Sequence, residues 1–291
     1  MSFSRTIAKT GVVAMALTFA GVNTAQADVI GHWRFENSSD LGQATVGPNL
    51  SQSGTVSYYE LPETGPGSAF PTTIPQTGTS NEAAARILSP TADTGYLSSS
   101  TGVDSADLRS LNVFTFEAFA NIESITVSTN NYYLAGQWGG GSDRRWAVGA
   151  EAGTGNVLIV TSSAGTNTSV TNTGLTMTAG QDYYIGVALD GENGEATVYL
   201  KNLTTDGELQ TVTIASGLEI LNTIGGDPFV IGRLTTSSNS RWHGLVDEVR
   251  VTSGLLDESQ LMIVPEPASM ALLGLGGSLM LLRRCGQTAR V

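Results

Sequence analysis

Two carboxyl groups, Asp247 and Glu248, stand side by side in an otherwise apolar run, and the chain has only two imidazoles, His32 and His243. Carboxyl pairs cleave glycosidic bonds when one donates a proton and the other attacks or activates water; retaining hydrolysis needs them about 5–5.5 Å apart. A β-strand meets that need with carboxylates at i, i+2 and i+4, which share a face. No strand-like run here carries such an alternation. As chain neighbours, Asp247 and Glu248 are expected on opposite faces, one held inside by a partner such as Arg250 and the other in solvent. No serine or cysteine nucleophile pattern accompanies either histidine, and both read as packed or edge residues. Zinc spacing, a phosphate loop and a dinucleotide fingerprint are all missing from the sequence. The expectation is therefore no catalytic residues and no enzyme.

Binding chemistry is better represented. Gln137–Trp146 places two tryptophans and two arginines around a Gly-rich turn. Aromatic faces with polar side chains suit sugar rings, and a loop on a rigid frame is where recognition usually sits. Trp138, Arg144 and Arg145 are the candidate ligand contacts. Trp146, at the head of a strand, reads as core because tryptophan is highly buried on average; Arg145 then has the alternative of pairing with an acidic neighbour.

The elements that must position these residues are strands. Helical periodicity is almost absent, and short alternating runs recur. In Leu111–Ile122, Phe114, Phe116, Ala118 and Ala120 share one face, while Thr115, Glu117 and Asn121 share the other with Phe119. Tyr183–Asp190 and Glu195–Leu200, joined by Gly191-Glu192-Asn193-Gly194, predict a hairpin. Phe229–Gly232 and Trp242–Val251 are later strands. Asp257 to Gln260 can open one short helix, with Asp257 as its cap. Residues 60–82, with four prolines, read as a long surface loop. So many short strands predict an all-β sandwich or jelly roll.

Between Asp28 and Val264 lie nine basic and 25 acidic residues, a net charge of −16. Such a surface repels nucleic acid and anionic lipid. The one cysteine, Cys285, lies outside this body, which therefore has no disulfide and must rest on its core alone.

Both ends carry address signals. Arg5 and Lys9 precede an apolar stretch, Gly11–Ala20, and Ala25-Gln26-Ala27 follows: the order of a secretory signal peptide over residues 1–27, with signal peptidase cutting after Ala27. At the other end, Pro265-Glu266-Pro267 precedes the uncharged run 268–282, and Arg283-Arg284 follow at once. As a helix, that run spans roughly 22 Å, short of the about 30 Å of hydrocarbon, so crossing would require thinning or snorkelling. The arginines place its end in the cytoplasm. Residues 264–291 resemble the PEP-CTERM sorting signal, departing from it only in the longer tail Cys285–Val291. The resemblance implies a single membrane helix, recognition by an exosortase, transient residence in the inner membrane, and release to the cell surface or extracellular matrix of a Gram-negative bacterium.

The body, 28–263, resembles bacterial LamG-like (concanavalin A-like) domains. His32-Trp33-Arg34-Phe35-Glu36 is similar to their opening strand, and Phe114–Phe119 to their F-T-x-E-x-W strand with Phe119 in the tryptophan place. Tyr183–Gly191 with Ala196–Asn202 is similar to their central hairpin, although a histidine usual near Ile185 is missing. Ile231-Gly232-Arg233, then Gly244–Val251 and Leu255–Leu261, is similar to their ending. The resemblance implies two stacked antiparallel sheets of a jelly roll. It also implies candidate calcium ligands, Asp190, Asp227 and Asp247, since a hard cation takes oxygen donors. The function expected is adhesion to extracellular polysaccharide or another glycan. A purely structural coat protein and a glycan hydrolase are the alternatives.

Overall fold

The computed structural model describes residues 27–61, 64–88, 95–99, 108, 110–126, 130–138, 144–166, 168–220, 228–234 and 240–265. Ala25, Glu266, Pro267, the run 268–282 and Arg283-Arg284 lie outside them, so the membrane helix and most of the sorting signal have no structural counterpart to set beside the expectation. Among the described residues no helix is long and apolar enough to cross a membrane.

Strands in chain order are β1 (Val29–Trp33), β2 (Ser51–Ser53), β3 (Val56–Glu60), β4 (Ala83–Ile87), β5 (Tyr96–Ser98), β6 (Val113–Ile122), β7 (Tyr132–Gln137) and β8 (Trp146–Ala150). They continue as β9 (Asn156–Thr161), β10 (Ser169–Thr176), β11 (Asp182–Asp190), β12 (Glu195–Asn202), β13 (Gln210–Ile214), β14 (Phe229–Ile231) and β15 (Gly244–Ser253). One sheet has eight strands, in the order β13-β12-β11-β6-β15-β4-β3 with β1 also on β15; the other has seven, β10-β9-β8-β7-β14-β5-β2. Every pairing is antiparallel. The fold is the expected all-β jelly-roll sandwich.

The period-two pattern explains why it closes. Phe114, Phe116, Ala118 and Ala120 of β6 meet Trp146, Val148 and Phe229 of the other sheet in one buried core. The predicted hairpin forms with Tyr183 opposite Asn202 and Asp190 opposite Glu195. Val198 and Leu200 enter the inter-sheet core, while Tyr199 faces the other way. Glu258–Gln260 makes a single 3₁₀ turn, and the Asp257 N–H donates to Gln260 Oε1 at 3.1 Å.

Residues 60–82 are not simply a surface loop. Leu61, Phe70 and Ile74 are buried on the outer face of the eight-stranded sheet, together with Leu256, Leu261 and Met262 from the chain's later segment. The apolar residues spaced among the prolines bind this segment down: Phe70 packs on Phe119, ring centroids 5.9 Å apart. Both faces of β6 are consequently buried, including Thr115, Glu117 and Asn121.

Candidate functional site

Covering the outer face of the eight-stranded sheet forces its polar side chains to satisfy one another, because a buried polar group without a partner is costly. Glu117 sits opposite Arg250 in the β6–β15 register. Arg250 Nε and Nη2 donate to Glu117 Oε2 at 2.8 and 2.5 Å. Glu117 Oε1 accepts from the Tyr184 hydroxyl and the Met262 N–H, each at 2.7 Å. Gly186 makes the tyrosine bond geometrically available: a Cβ there would lie 2.8 Å from the Tyr184 hydroxyl. Asp182, which the sequence did not single out, accepts from the N–H groups of Gly67 and Ala69 at 2.6 and 3.0 Å and from Asn121 Nδ2 at 2.7 Å.

A second cluster forms where two short strands share one flank of β15. β4 pairs with Gly244–Val246, and β1 pairs with Val249–Thr252. Glu248 falls at the junction, beside an irregularity in the β6 register, with φ +47°. That turn of the backbone defeats the alternation expected of neighbouring residues. Asp247 and Glu248 are both fully buried, so neither is the solvated member the sequence implied. Glu248 is held by His32 Nε2 at 2.5 Å and Arg34 Nε at 2.7 Å. Asp247 accepts from Asn81 Nδ2 and the Glu248 N–H, both at 2.7 Å. Arg250, the partner proposed for this pair, instead serves Glu117.

Burial first, and then the charge of Glu248, holds the Asp247 carboxyl well above the ordinary carboxylate range; bonds from Asn81 and the Glu248 N–H oppose the shift. The folded state thus retains a proton that the unfolded state releases near the ordinary value of 3.8. Stability falls as pH rises above that value, because there the folded protein binds more protons. Asp247→Asn, a neutral replacement, is expected to flatten this decline: in thermal melts from about pH 4 upward, its midpoint should fall less with rising pH than that of the wild type. A variant with an unchanged pH slope would show that Asp247 ionises freely in the fold.

His32, Arg34, Thr45, Thr77, Thr79, Glu248 and neighbours line a cavity of about 180 Å³. Next to it, sharing Arg34 and Thr45, is an open crevice of about 530 Å³ formed by residues 34–38 and 43–45. The segment is folded back on β1 by His32: its N–H donates to Val46 O at 2.9 Å, and its carbonyl accepts the Thr45 N–H at 2.8 Å. Arg34 Nη2 also donates to the Ser80 carbonyl. Glu36 Oε1 takes the Glu82 N–H at 3.0 Å, and Asn37 Nδ2 donates to Gln43 Oε1 at 2.7 Å. Sequence reading missed this cleft, although Arg34 and Glu36 alternate with buried Trp33 and Phe35 in a pattern that presents polar groups on one side.

The residues chosen for ligand contact lie elsewhere and are less available than expected. Trp146 is core, as read. Trp138 is only 4% exposed, packed with Tyr133, Ala147, Val160 and Leu234. Its ring is not an open platform; Arg144 lies over it at 5.6 Å. Arg145 is fully buried, donating to Leu111 O at 2.7 Å and Asn112 Oδ1 at 2.6 Å, and burial lowers its pKa to about 10. It anchors the start of β8 to the start of β6.

The calcium candidates do not converge. Asp190 lies opposite Val113 and Asp247 opposite Phe119, six residues apart on β6, a separation of about 20 Å. Asp190 turns on itself, accepting from the Glu192 and Asn193 N–H groups and from Asn193 Nδ2 at 2.7 Å. Asp227 lies outside the described residues. Among those residues no group of three His, Cys, Asp or Glu side chains could hold a metal ion.

The family profile of the concanavalin A-like lectin/glucanases superfamily matches residues 93–262, more than half of the chain. The chain belongs to this superfamily. No curated protein matches it in sequence. Among solved structures, the concanavalin A-like sandwich is similar to domain 4 of AbnA, an extracellular GH43 arabinanase from Geobacillus stearothermophilus solved in complex with arabinotriose. Identity is 17%, covering 81% of this chain and 97% of that one, with a TM-score of 0.54. It is also similar to the enzymatically active domain of tailspike protein 2 of bacteriophage CBA120, at 16% identity and TM-score 0.50; the match covers 80% of this chain but 34% of that one. At these identities the likeness is one of fold.

Proposed function

We propose that this chain is an exported cell-surface or extracellular-matrix protein whose concanavalin A-like domain binds carbohydrate by adhesion, without turnover. The observation that carries the reading is the lectin-type sandwich itself, which aligns over 81% of the chain with an arabinanase domain solved with an oligosaccharide. A frame of this kind supports binding, while chemistry has to come from residues placed on it. The buried carboxyl groups of Glu117, Asp247 and Asp182 are bound to partners that hold the sheet's cover in place. Processing at the two predicted sites would leave the domain whole: Asp28, though exposed, is tied to the fold by its carbonyl, which accepts the Ser253 N–H, and the Val264 N–H is still bonded to the Leu261 carbonyl.

Two measurements test this. On a glycan array the secreted protein is expected to retain a discrete set of polysaccharide fragments and to release no reducing sugar from them. A blank array would leave a purely structural coat protein, and sugar release would make it a hydrolase. Intact-mass analysis of the protein from its host should give a species beginning at Asp28 and ending near Pro265–Pro267; a chain retaining residues 268–291 would overturn exosortase processing.

A further inference from the structure

We propose that the glycan site of this domain is the cleft formed by residues 34–45 beside the Glu248 junction, and that it takes a neutral glycan in preference to an acidic one. The inference rests on the carbohydrate-binding reading above and locates it.

Chemistry and shape agree here. The crevice presents Glu36, Asn37, Ser38, Gln43 and Thr45. Carboxylate and carboxamide groups each offer two in-plane positions for hydrogen bonds, the pattern that adjacent sugar hydroxyls complement. The groups are held before any ligand arrives, which lowers the ordering cost of binding. Arg34 is fixed by Glu248, Glu36 and Ser80. Asn37 is fixed by Gln43 and by Ser39, whose N–H and hydroxyl both donate to Asn37 Oδ1. Two of the three non-glycine residues with positive φ among those described, Phe35 at +59° and Glu248 at +47°, flank this cleft. Backbone strain of this kind is retained where the surroundings over-determine it, often at functional positions.

An aromatic ring stands nearby. Tyr58 on β3 is 37% exposed. It lies opposite Ala85 of β4, three residues along the chain from Glu82, whose N–H bonds Glu36 at the cleft. Over a third of this residue is open to solvent, where the C–H side of a pyranose or furanose can approach, whereas Trp138 is enclosed.

Charge selects the class. Arg34 is paired with Glu248 and Glu36, and Arg250 with Glu117, so the guanidinium groups lining the cavities already have carboxylate partners. A uronate or sulfated sugar would meet Glu36 with no cation in reserve, and would approach a chain of net charge −12. A neutral sugar meets donors and acceptors only.

The test is titration calorimetry with saturation-transfer NMR on the full secreted protein. The probes are arabinotriose, laminaritriose, cellotriose and, as the acidic member, trigalacturonate. At least one neutral trisaccharide is expected to bind, and trigalacturonate more weakly or not at all. Asn37→Ala/Gln43→Ala should weaken neutral binding at least about tenfold, Tyr58→Ala several-fold, and Arg144→Ala, in the Trp138 cluster, not measurably. All these side chains lie at or near the surface, and a thermal melt confirms that each variant is folded. A folded Asn37→Ala/Gln43→Ala protein that binds like the wild type overturns the site and leaves the carbohydrate reading standing. Tighter binding of trigalacturonate overturns the neutral preference. If no neutral trisaccharide binds, the inference fails, and the glycan array decides separately whether the broader reading survives.

Discussion

Glu117→Ala is expected to lower the free energy of unfolding by about 3–5 kcal/mol, a large share of the about 5–15 kcal/mol that holds an ordinary domain folded. Glu117 is fully buried and has four donors on its two oxygens: Arg250 Nε and Nη2, the Tyr184 hydroxyl and the Met262 N–H. Removing it leaves a guanidinium, a phenol and a peptide N–H in an interior that water does not reach. The loss extends beyond the pair. Met262 belongs to the segment that covers the sheet, and Gln76, on the other covering segment, bonds both Arg250 Nη1 at 2.5 Å and the Gln260 carbonyl. The two covers are therefore tied together through the ion pair. Urea unfolding followed by tryptophan fluorescence checks this, and Glu117→Gln should cost less because it keeps an acceptor for Tyr184 and Met262. The double variant Glu117→Leu/Arg250→Met should be more stable than Glu117→Ala, since it leaves neither charge unpaired. Equal stability of Glu117→Ala and wild type would mean that the network contributes nothing net.

Trp146→Ala is expected to cost a similar amount, about 3–5 kcal/mol, by a different route. Trp146 contacts three other rings: Phe114 at 4.7 Å and Phe116 at 5.8 Å across the sandwich, and Phe229 at 6.1 Å in its own sheet, between centroids. Phe229 in turn stacks on Trp33 at 4.9 Å. Deleting the indole opens a void between two sheets whose backbones are fixed by strand pairing and cannot collapse into it. Denaturant midpoints give the measurement. Trp146→Phe should recover roughly half of the loss, and a full-stability Trp146→Ala would place the indole outside the core.

The contrast between these two residues and the ligand contacts first inferred shows what was legible. Alternation along 111–122 and 183–200 dictated which side chains of β6, β11 and β12 share a face, and the hairpin register followed from the Gly-bearing turn. That information is local: it needs only the two-residue period of a strand.

What could not be read locally is which faces are covered. Thr115, Glu117 and Asn121 look like a solvated face until Phe70, Ile74, Leu261 and Met262 are laid over it. Asp247 and Glu248 alternate on paper, but the Glu248 backbone turns left-handed where β4 gives way to β1, and both carboxylates go inside. The same junction brings His32 and Arg34 to Glu248 across more than two hundred residues. The sequence by itself determined an all-β sandwich and the strand faces, because propensity and period act between near neighbours. Only the tertiary structure decided that Trp138 and Arg145 are enclosed and that a polar cleft opens at residues 34–45, because burial and charge pairing depend on segments far apart in the chain.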